Sequence, residues 1–200
     1  MTNYAWGVVL LFGSVVLPIQ AEDQVKLIAD FDSEPPNNLG GNFGAFSPTE
    51  TEQVYICRAT NDDTVKHGNS GSSIRLEYNV SKGGSYCGFW IKLGPADSGN
   101  NFDASGYSKL TFWVKGDEKS GIPAKVKMEL KGDPGTPVGK KYIGEITDKW
   151  KKIEVPLSDF VKDGKINLNK LNEVVFVFEQ RAVGPMTTGA INIDDLAFEK

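Results

Sequence analysis

The sequence predicts an all-β protein, an antiparallel β-sandwich. Three observations carry this reading. About nine or ten short, apolar-rich segments are separated by turn-forming Gly, Pro, Asn and Asp residues. No stretch sustains the 3.6-residue apolar period of an amphipathic helix. One segment, Glu173-Val-Val-Phe-Val-Phe-Glu-Gln180, is apolar on both faces, as expected of a strand in the middle of a packed sheet.

Taken in order, Val25 to Asp32 reads as the first strand. Ser33 to Pro48, rich in Pro, Asn and Gly, predicts a long loop. Val54 to Arg58 predicts a short strand, and Asn61 to Gly71 a polar loop. Ser73 to Val80 alternates, with Ile74, Leu76, Tyr78 and Val80 on one face. Tyr86 to Leu93 is a further strand, followed by loop from Gly94 to Gly106. Lys109 to Gly116 puts Leu110, Phe112 and Val114 on one face. Ala124 to Lys131 puts Val126, Met128 and Leu130 inward and Lys127 and Glu129 outward. Tyr142 to Ile146 and Trp150 to Val155 predict short strands around a turn at Asp148. Pro156 to Phe160 predicts a brief helical turn, and Asn167 to Asn172 another. The chain closes with two strands, Glu173 to Gln180 and Ala190 to Phe198. The second alternates until two adjacent acids, Asp194 and Asp195, interrupt it. Charge inside a buried strand is costly unless something compensates it.

The 200 residues suffice for one domain with a sizeable core. Met1 to Ala21 carries no charged side chain, and its apolar run, Ala5 to Leu17, is too short to span a bilayer. Pro18 and a small-residue cleavage site at Ala21 follow. This predicts a secretory signal peptide over residues 1–21, a single mature domain over 22–200, no membrane span once the signal is removed, and a secreted, extracellular or periplasmic location. The net charge of −4 argues against nucleic acid as a partner.

Cys57 and Cys87 are the only cysteines. In an oxidising compartment they form a disulfide if their strands are neighbours; otherwise they are two buried thiols. With a single histidine, His67, they make no zinc site. Trp90 lies on the face opposite Phe89 and Ile91, and is either a stacking platform or part of the core between sheets. Trp113 and Trp150 sit amid core-like neighbours and read as core. Glu129, Lys131, Glu179, Gln180 and Arg181 either ring a groove or are solvated strand ends. Arg181 offers a planar fork suited to paired hydroxyls or a carboxylated sugar.

Three blocks together carry a resemblance. The first is Leu27-Ile-Ala-Asp-Phe-Asp32 with the loop Asn37-Asn-Leu-Gly-Gly41. The second runs from Tyr86-Cys-Gly-Phe-Trp90 through Tyr107 to Gly116. The third is Trp150 to Phe160, then Val175-Phe-Val-Phe178 and Gly189-Ala-Ile-Asn-Ile-Asp-Asp-Leu196. They resemble the galactose-binding-like jelly-roll domains, most closely the family 11 carbohydrate-binding modules. The resemblance implies a two-sheet jelly roll with a structural calcium ion. Its acidic positions match Asp32 and Asp194, with Asp30 and Asp195 as neighbours. Calcium takes six to eight oxygens, mixing carboxylates with backbone carbonyls. A bulge would exchange the members of an Asp pair.

The resemblance also implies a concave sheet face that binds a soluble β-glucan chain, with aromatic rings stacked on the sugars. The family tyrosine in its Gly-Tyr-Trp-Gly-like block matches Tyr86. A second family tyrosine, at the end of the penultimate strand, matches Phe178, which lacks the hydroxyl. A third falls on Phe43 or Phe46. With Trp90, Glu129, Gln180 and Arg181, weighed above on their own chemistry, the expected carbohydrate-binding residues are Tyr86, Trp90, Glu129, Phe178, Gln180 and Arg181.

Three classes of function share such a fold. The expected one is a secreted, monomeric, non-catalytic binder of polysaccharide or oligosaccharide, acting alone or with a partner enzyme. A small glycosidase would need two facing carboxyl groups; Glu77, Glu129, Glu145 and Glu179 are available, but no motif pairs any two. Assembly proteins of the complex I intermediate-associated type have a similar fold and an early Gly-Gly loop, here Gly40-Gly41, but the N-terminal segment argues against that role.

Overall fold

The computed structural model describes residues 24–47, 57–164 and 166–200. The signal-peptide segment, 1–21, lies outside the described residues, as do 54–56 of the expected second strand. Eleven strands form the described chain: β1 (Val25–Ala29), β2 (Phe43–Phe46), β3 (Cys57–Asp62), β4 (Ser73–Asn79), β5 (Tyr86–Lys92), β6 (Lys109–Gly116), β7 (Lys125–Lys131), β8 (Gly139–Gly144), β9 (Lys151–Pro156), β10 (Glu173–Glu179) and β11 (Thr188–Glu199). A helix, α1 (Leu157–Gly164), and two short 3-10 turns, Ala96–Ser98 and Leu168–Lys170, complete them. Two regions expected to be loop carry strand instead. β2 lies inside the Pro/Asn/Gly-rich stretch, and β3 runs on to Asp62. Both are edge strands whose pairing partners are distant in sequence, so local composition does not announce them.

The strands make two antiparallel sheets. One has the order β3-β4-β11-β6-β9, with β1 also paired to β11. The other has the order β2-β5-β10-β7-β8. The doubly apolar β10 is central in the second sheet, as its pattern requires. Its Val174, Phe176 and Phe178 face the core, and Val175 and Val177 are buried on the outer face beneath longer neighbours.

Rings from both sheets interlock in the core. Tyr78 of β4 stacks on Phe178 of β10, with centroids 4.4 Å apart and planes 8° off parallel. Phe112 of β6 meets Phe176 edge-on at 5.2 Å. Phe31, in the left-handed region at φ 57°, drops its ring against Phe43 and near Phe89. This corrects the expectation for Phe178. It is 0% exposed and belongs to the core, because position parity on β10 gives the outer face to Glu179 instead. Phe178→Ala is therefore expected to cost about 3–5 kcal/mol of stability, as for other buried Phe truncations. Urea denaturation measures this, and a loss under 1 kcal/mol would contradict the core placement.

Cys57 and Cys87 do not meet as neighbours in one sheet. They belong to opposite sheets and face each other across the sandwich as free, buried thiols, so the expected disulfide is not present in this structure. The hydrogen bond with Cys87, burial, and the proximity of the second sulfur all push the Cys57 thiol well above its usual range.

Trp113 is also not in the core. It sits on the outer face of the six-stranded sheet, half-buried, with the His67 ring stacked on it at 3.8 Å. Trp150 is half-buried, edge-on to the same histidine at 6.0 Å. On that outer face Arg75 donates to Asp117 Oδ2 at 2.7 Å. This bond, helped by the Ser120 hydroxyl, holds the Asp117 carboxyl down at about 2. A lowered carboxyl stabilises the fold above its unfolded value near 4, and that contribution disappears as pH falls through about 2. Asp117→Asn is expected to cost about 1–2 kcal/mol at pH 7 and almost nothing at pH 2. Equal costs at both pH values, read from urea denaturation, would remove Arg75 as the cause.

Candidate functional site

The outer face of the five-stranded sheet gathers most of the sequence-predicted binding residues. On β5 the residues Cys87, Phe89 and Ile91 point into the core, which leaves Tyr86, Gly88, Trp90 and Lys92 outward. Cross-strand pairing puts Tyr86 beside Glu179, Gly88 beside Val177, Trp90 beside Val175 and Lys92 beside Glu173. On β7 the outward residues are Lys125, Lys127, Glu129 and Lys131, and on β8 Lys140 and Tyr142.

Two reciprocal pairs shape the β2–β5 edge. Gly44 lies opposite Trp90, and Phe46 opposite Gly88. A Cβ on Gly44 would meet the Trp90 ring at 3.1 Å, and one on Gly88 would meet the Phe46 ring at 2.6 Å. Each ring thus lies over its partner glycine, in space that any side chain would fill. Trp90 therefore lies half-buried on the outer face of the sheet rather than in the core. Lys92 Nζ sits 5.8 Å from its ring centroid. Phe46 takes the outer face, while Phe43 packs with Phe31 and Phe89 inside.

The strip across β10 and β7 is a ladder of alternating charge. Glu173 pairs with Lys92 and, at 3.1 Å, with Lys131. Glu129 pairs with Lys131 at 3.6 Å and Lys127 at 2.9 Å. Lys127 reaches Glu179 at 2.6 Å. Glu179 also accepts from the Tyr142 hydroxyl at 2.6 Å and from Arg181 Nε at 3.3 Å. The three glutamate side chains are each only 13% exposed. Burial pushes the Glu179 carboxyl up, but the bonds from Lys127 and Tyr142 outweigh it and leave it below its usual value.

At one end of this face a cavity of about 250 Å³ is lined by Gly84, Ser85, Tyr86, Glu179, Gln180 and Arg181. Tyr86, 45% exposed, forms one of its walls. A larger cavity of about 410 Å³ lies on the other sheet, around Arg75, Lys115, Asp117 and Asn192, but no aromatic side chain lines it. The smaller cavity, with Tyr86 in its wall, continues into the aromatic face. Of the expected residues, Tyr86, Trp90, Glu129, Gln180 and Arg181 fall on this face or at its end, and Phe178 does not. Tyr142 and Phe46 complete the set of outward rings. Tyr142 was legible only as the outward member of an alternation with Ile143.

The acidic residues come together only in part. β11 pairs with β4 up to Ile193 and with β1 from Leu196, so Asp194 and Asp195 fall in the gap between them. The β6 pairing carries a bulge at the same place, with Asp195 at φ 49°. The Asp194 carboxylate is 3% exposed and accepts from the backbone N–H groups of His67 and Asp195. Burial, Asp195 and Asp32 push it up to about 6. Asp32 accepts from the N–H of Ser72, the residue before β4. Asp30 turns instead to Asn38, accepting from its amide at 2.7 Å. Asp195 pairs with His67 Nδ1 at 3.0 Å. Among the described residues no three Asp, Glu, His or Cys side chains form a metal-ready group. An ion here would rest on Asp32 and Asp194, carboxylate donors of the kind calcium takes.

The family model described as carbohydrate binding domain (family 11) matches residues 14–167. The chain belongs to that family of carbohydrate-binding domains. The matched segment stops before β10 and β11. Among solved structures, the family 11 module of a cellulosomal cellulase of Clostridium thermocellum is similar, with a TM-score of 0.65 at 16% identity over 90% of this chain and 96% of that one. The family 30 module of another cellulosomal cellulase of that organism gives 0.63 at 16%, over 88% and 97%. A β-1,2-glucanase from Parabacteroides distasonis gives 0.61 at 15%, covering 88% of this chain and 25% of that one. These identities speak for the fold. No curated protein matches the sequence significantly. Among the described residues no helix is long and apolar enough to cross a membrane.

Proposed function

We propose that this protein is a secreted, non-catalytic polysaccharide binder that lays a β-glucan-type chain across the outer face of the five-stranded sheet. The observation that carries the reading is the row of outward rings, Tyr86, Trp90, Phe46 and Tyr142, beside a strip of polar side chains already held in place. Rings stack on the apolar faces of sugars, and lysine and arginine N–H groups donate to their hydroxyls. Tyr86 and Trp90 are four residues apart on one strand, about 13 Å at strand rise. A ligand touching both is an oligosaccharide rather than a single sugar. The calcium ion implied by the family resemblance would sit at Asp32 and Asp194, away from the sugar face, and serve the fold.

Catalysis finds little support. The glutamates of the face are tied to lysines, Glu129 and Glu179 to Lys127 and Glu129 and Glu173 to Lys131. A general acid needs a raised carboxyl, and Glu179 is lowered.

The test is affinity electrophoresis and calorimetry of the wild type and Tyr86→Ala on soluble β-glucans. Tyr86 is exposed enough that its removal should leave the melting temperature within about 2 °C, while affinity falls about tenfold, as expected for losing one stacked ring. If neither protein binds, or both bind equally, the face is assigned wrongly.

A further inference from the structure

The structure assigns a charge preference to the same face: we infer that the bound glycan is an anionic one, a flat β-linked chain carrying carboxylate or sulfate groups. This rests on the polysaccharide-binding reading above and narrows it. The whole chain carries a net charge of −4. The outward strand positions of the five-stranded sheet run the other way. They hold five lysines, Lys92, Lys125, Lys127, Lys131 and Lys140, against three glutamates, Glu129, Glu173 and Glu179. Arg181, just past β10, adds a sixth cation and is 77% exposed.

Exposure sharpens the imbalance. Each glutamate is 13% exposed and lies between two cations, so its oxygens are already occupied. Lys125, at the start of β7, and Lys140, on the edge strand β8, are by contrast exposed. They flank the pair Lys127 and Tyr142, Lys125 beside Gly144 and Lys140 beside Glu129. Arg181 engages Glu179 through Nε on the same carboxylate that Tyr142 holds. The face therefore keeps its acids inside the ladder and offers ammonium and guanidinium groups around its rings. A neutral glucan would use the rings and some N–H donors and leave the excess positive charge unmet. A chain with acid groups would meet both, since like and unlike charges on opposing surfaces set selectivity and encounter rate.

The experiment compares polymers sharing one backbone. Hydroxyethyl cellulose is the neutral β-glucan, carboxymethyl cellulose the carboxylated one and cellulose sulfate the sulfated one; dextran sulfate supplies charge on a different backbone. Affinity is read by calorimetry at 20 mM and 300 mM NaCl. At low salt the carboxylated or the sulfated β-glucan should bind about tenfold tighter than the neutral one, and high salt should erase most of that margin because it screens exposed charge. The arm that gains more identifies the acid group. In the double variant Lys125→Glu/Lys140→Glu the charged-to-neutral affinity ratio should fall to about one, with an unchanged melting temperature as the folding control. Equal affinity for charged and neutral β-glucan, a ratio insensitive to salt, or a ratio unmoved by the double variant overturns the inference and leaves polysaccharide binding standing. Tight dextran sulfate binding that ignores Trp90→Ala reduces the effect to ion exchange and also overturns it. Failure of every β-glucan to bind removes the underlying reading as well.

Discussion

Trp90→Ala is expected to weaken β-glucan binding by about ten- to a hundredfold, some 1.5–2.5 kcal/mol, while the protein still unfolds cooperatively. The size follows from position. Trp90 is central along β5, between the Tyr86 end of the face and Lys92, and its ring lies over Gly44 with no side chain beneath it. The indole is half-buried on the outer face, with Gly44 on one side of it and Lys92 Nζ 5.8 Å from its centroid. A sugar stacked on it would cover about 60–100 Å² of apolar surface, which gives the quoted energy at about 25 cal/mol per Å². Trp90→Phe should recover part of the loss, because a smaller ring can still occupy the space over Gly44. Gly44→Ala should act in the same direction as Trp90→Ala, since the added Cβ would lie 3.1 Å from the ring and tilt it. Trp113→Ala supplies the contrast. Trp113 stands on the other sheet under His67, so its loss should leave glucan affinity within twofold. Calorimetric titration of the four variants decides the matter: if Trp113→Ala weakens binding as much as Trp90→Ala does, the five-stranded sheet is not the sugar face.

The strands that could be read from sequence were those with a one-sided alternation. β4, β6 and β7 show it residue by residue, and β10 shows the doubly buried pattern of a central strand. The edge strands β2 and β3 could not be read so, because the partner rather than the local pattern fixes an edge strand. The site divides along the same line. Tyr86, Trp90 and Glu129 sit on alternating strands, and parity alone puts them outward. Phe178 fails because the final residues of a strand pass from sheet to loop, and the analogy placed the ring one position off the outward register that Glu179 holds. Trp113 looked like core because an apolar residue on an outer face is indistinguishable from a core residue until its cover, here His67, is known. The Gly44–Trp90 and Phe46–Gly88 pairs were beyond reach because each joins residues more than forty positions apart.

Calcium is expected to raise the melting temperature by about 5–10 °C over the same protein in chelator, the shift for an ion held at about a hundred times its dissociation constant. The expectation comes from a cost and a place. Asp194 is nearly fully buried, no cation pairs with it among the described residues, and Asp195 and Asp32 add like charge, so its carboxyl is driven up to about 6. The place is the gap along β11 where β4 stops and β1 begins. A divalent ion between Asp32 and Asp194 would replace repulsion by attraction and join the end of β1 to the C-terminal strand. Asp32→Asn isolates the ion from the packing. The asparagine keeps the Oδ1 that accepts from Ser72 N–H but removes the charge. In chelator it should melt no lower than the wild type, because a like charge near Asp194 is gone. In 1 mM calcium it should gain little or nothing. Asp30→Asn should keep the full calcium response, since Asp30 serves the Asn38 turn. Differential scanning calorimetry with calcium, with magnesium and with chelator separates these outcomes. A wild-type melting temperature indifferent to calcium, or an Asp30→Asn variant that loses the response as fully as Asp32→Asn, leaves the buried acid at Asp194 without an ion to offset it.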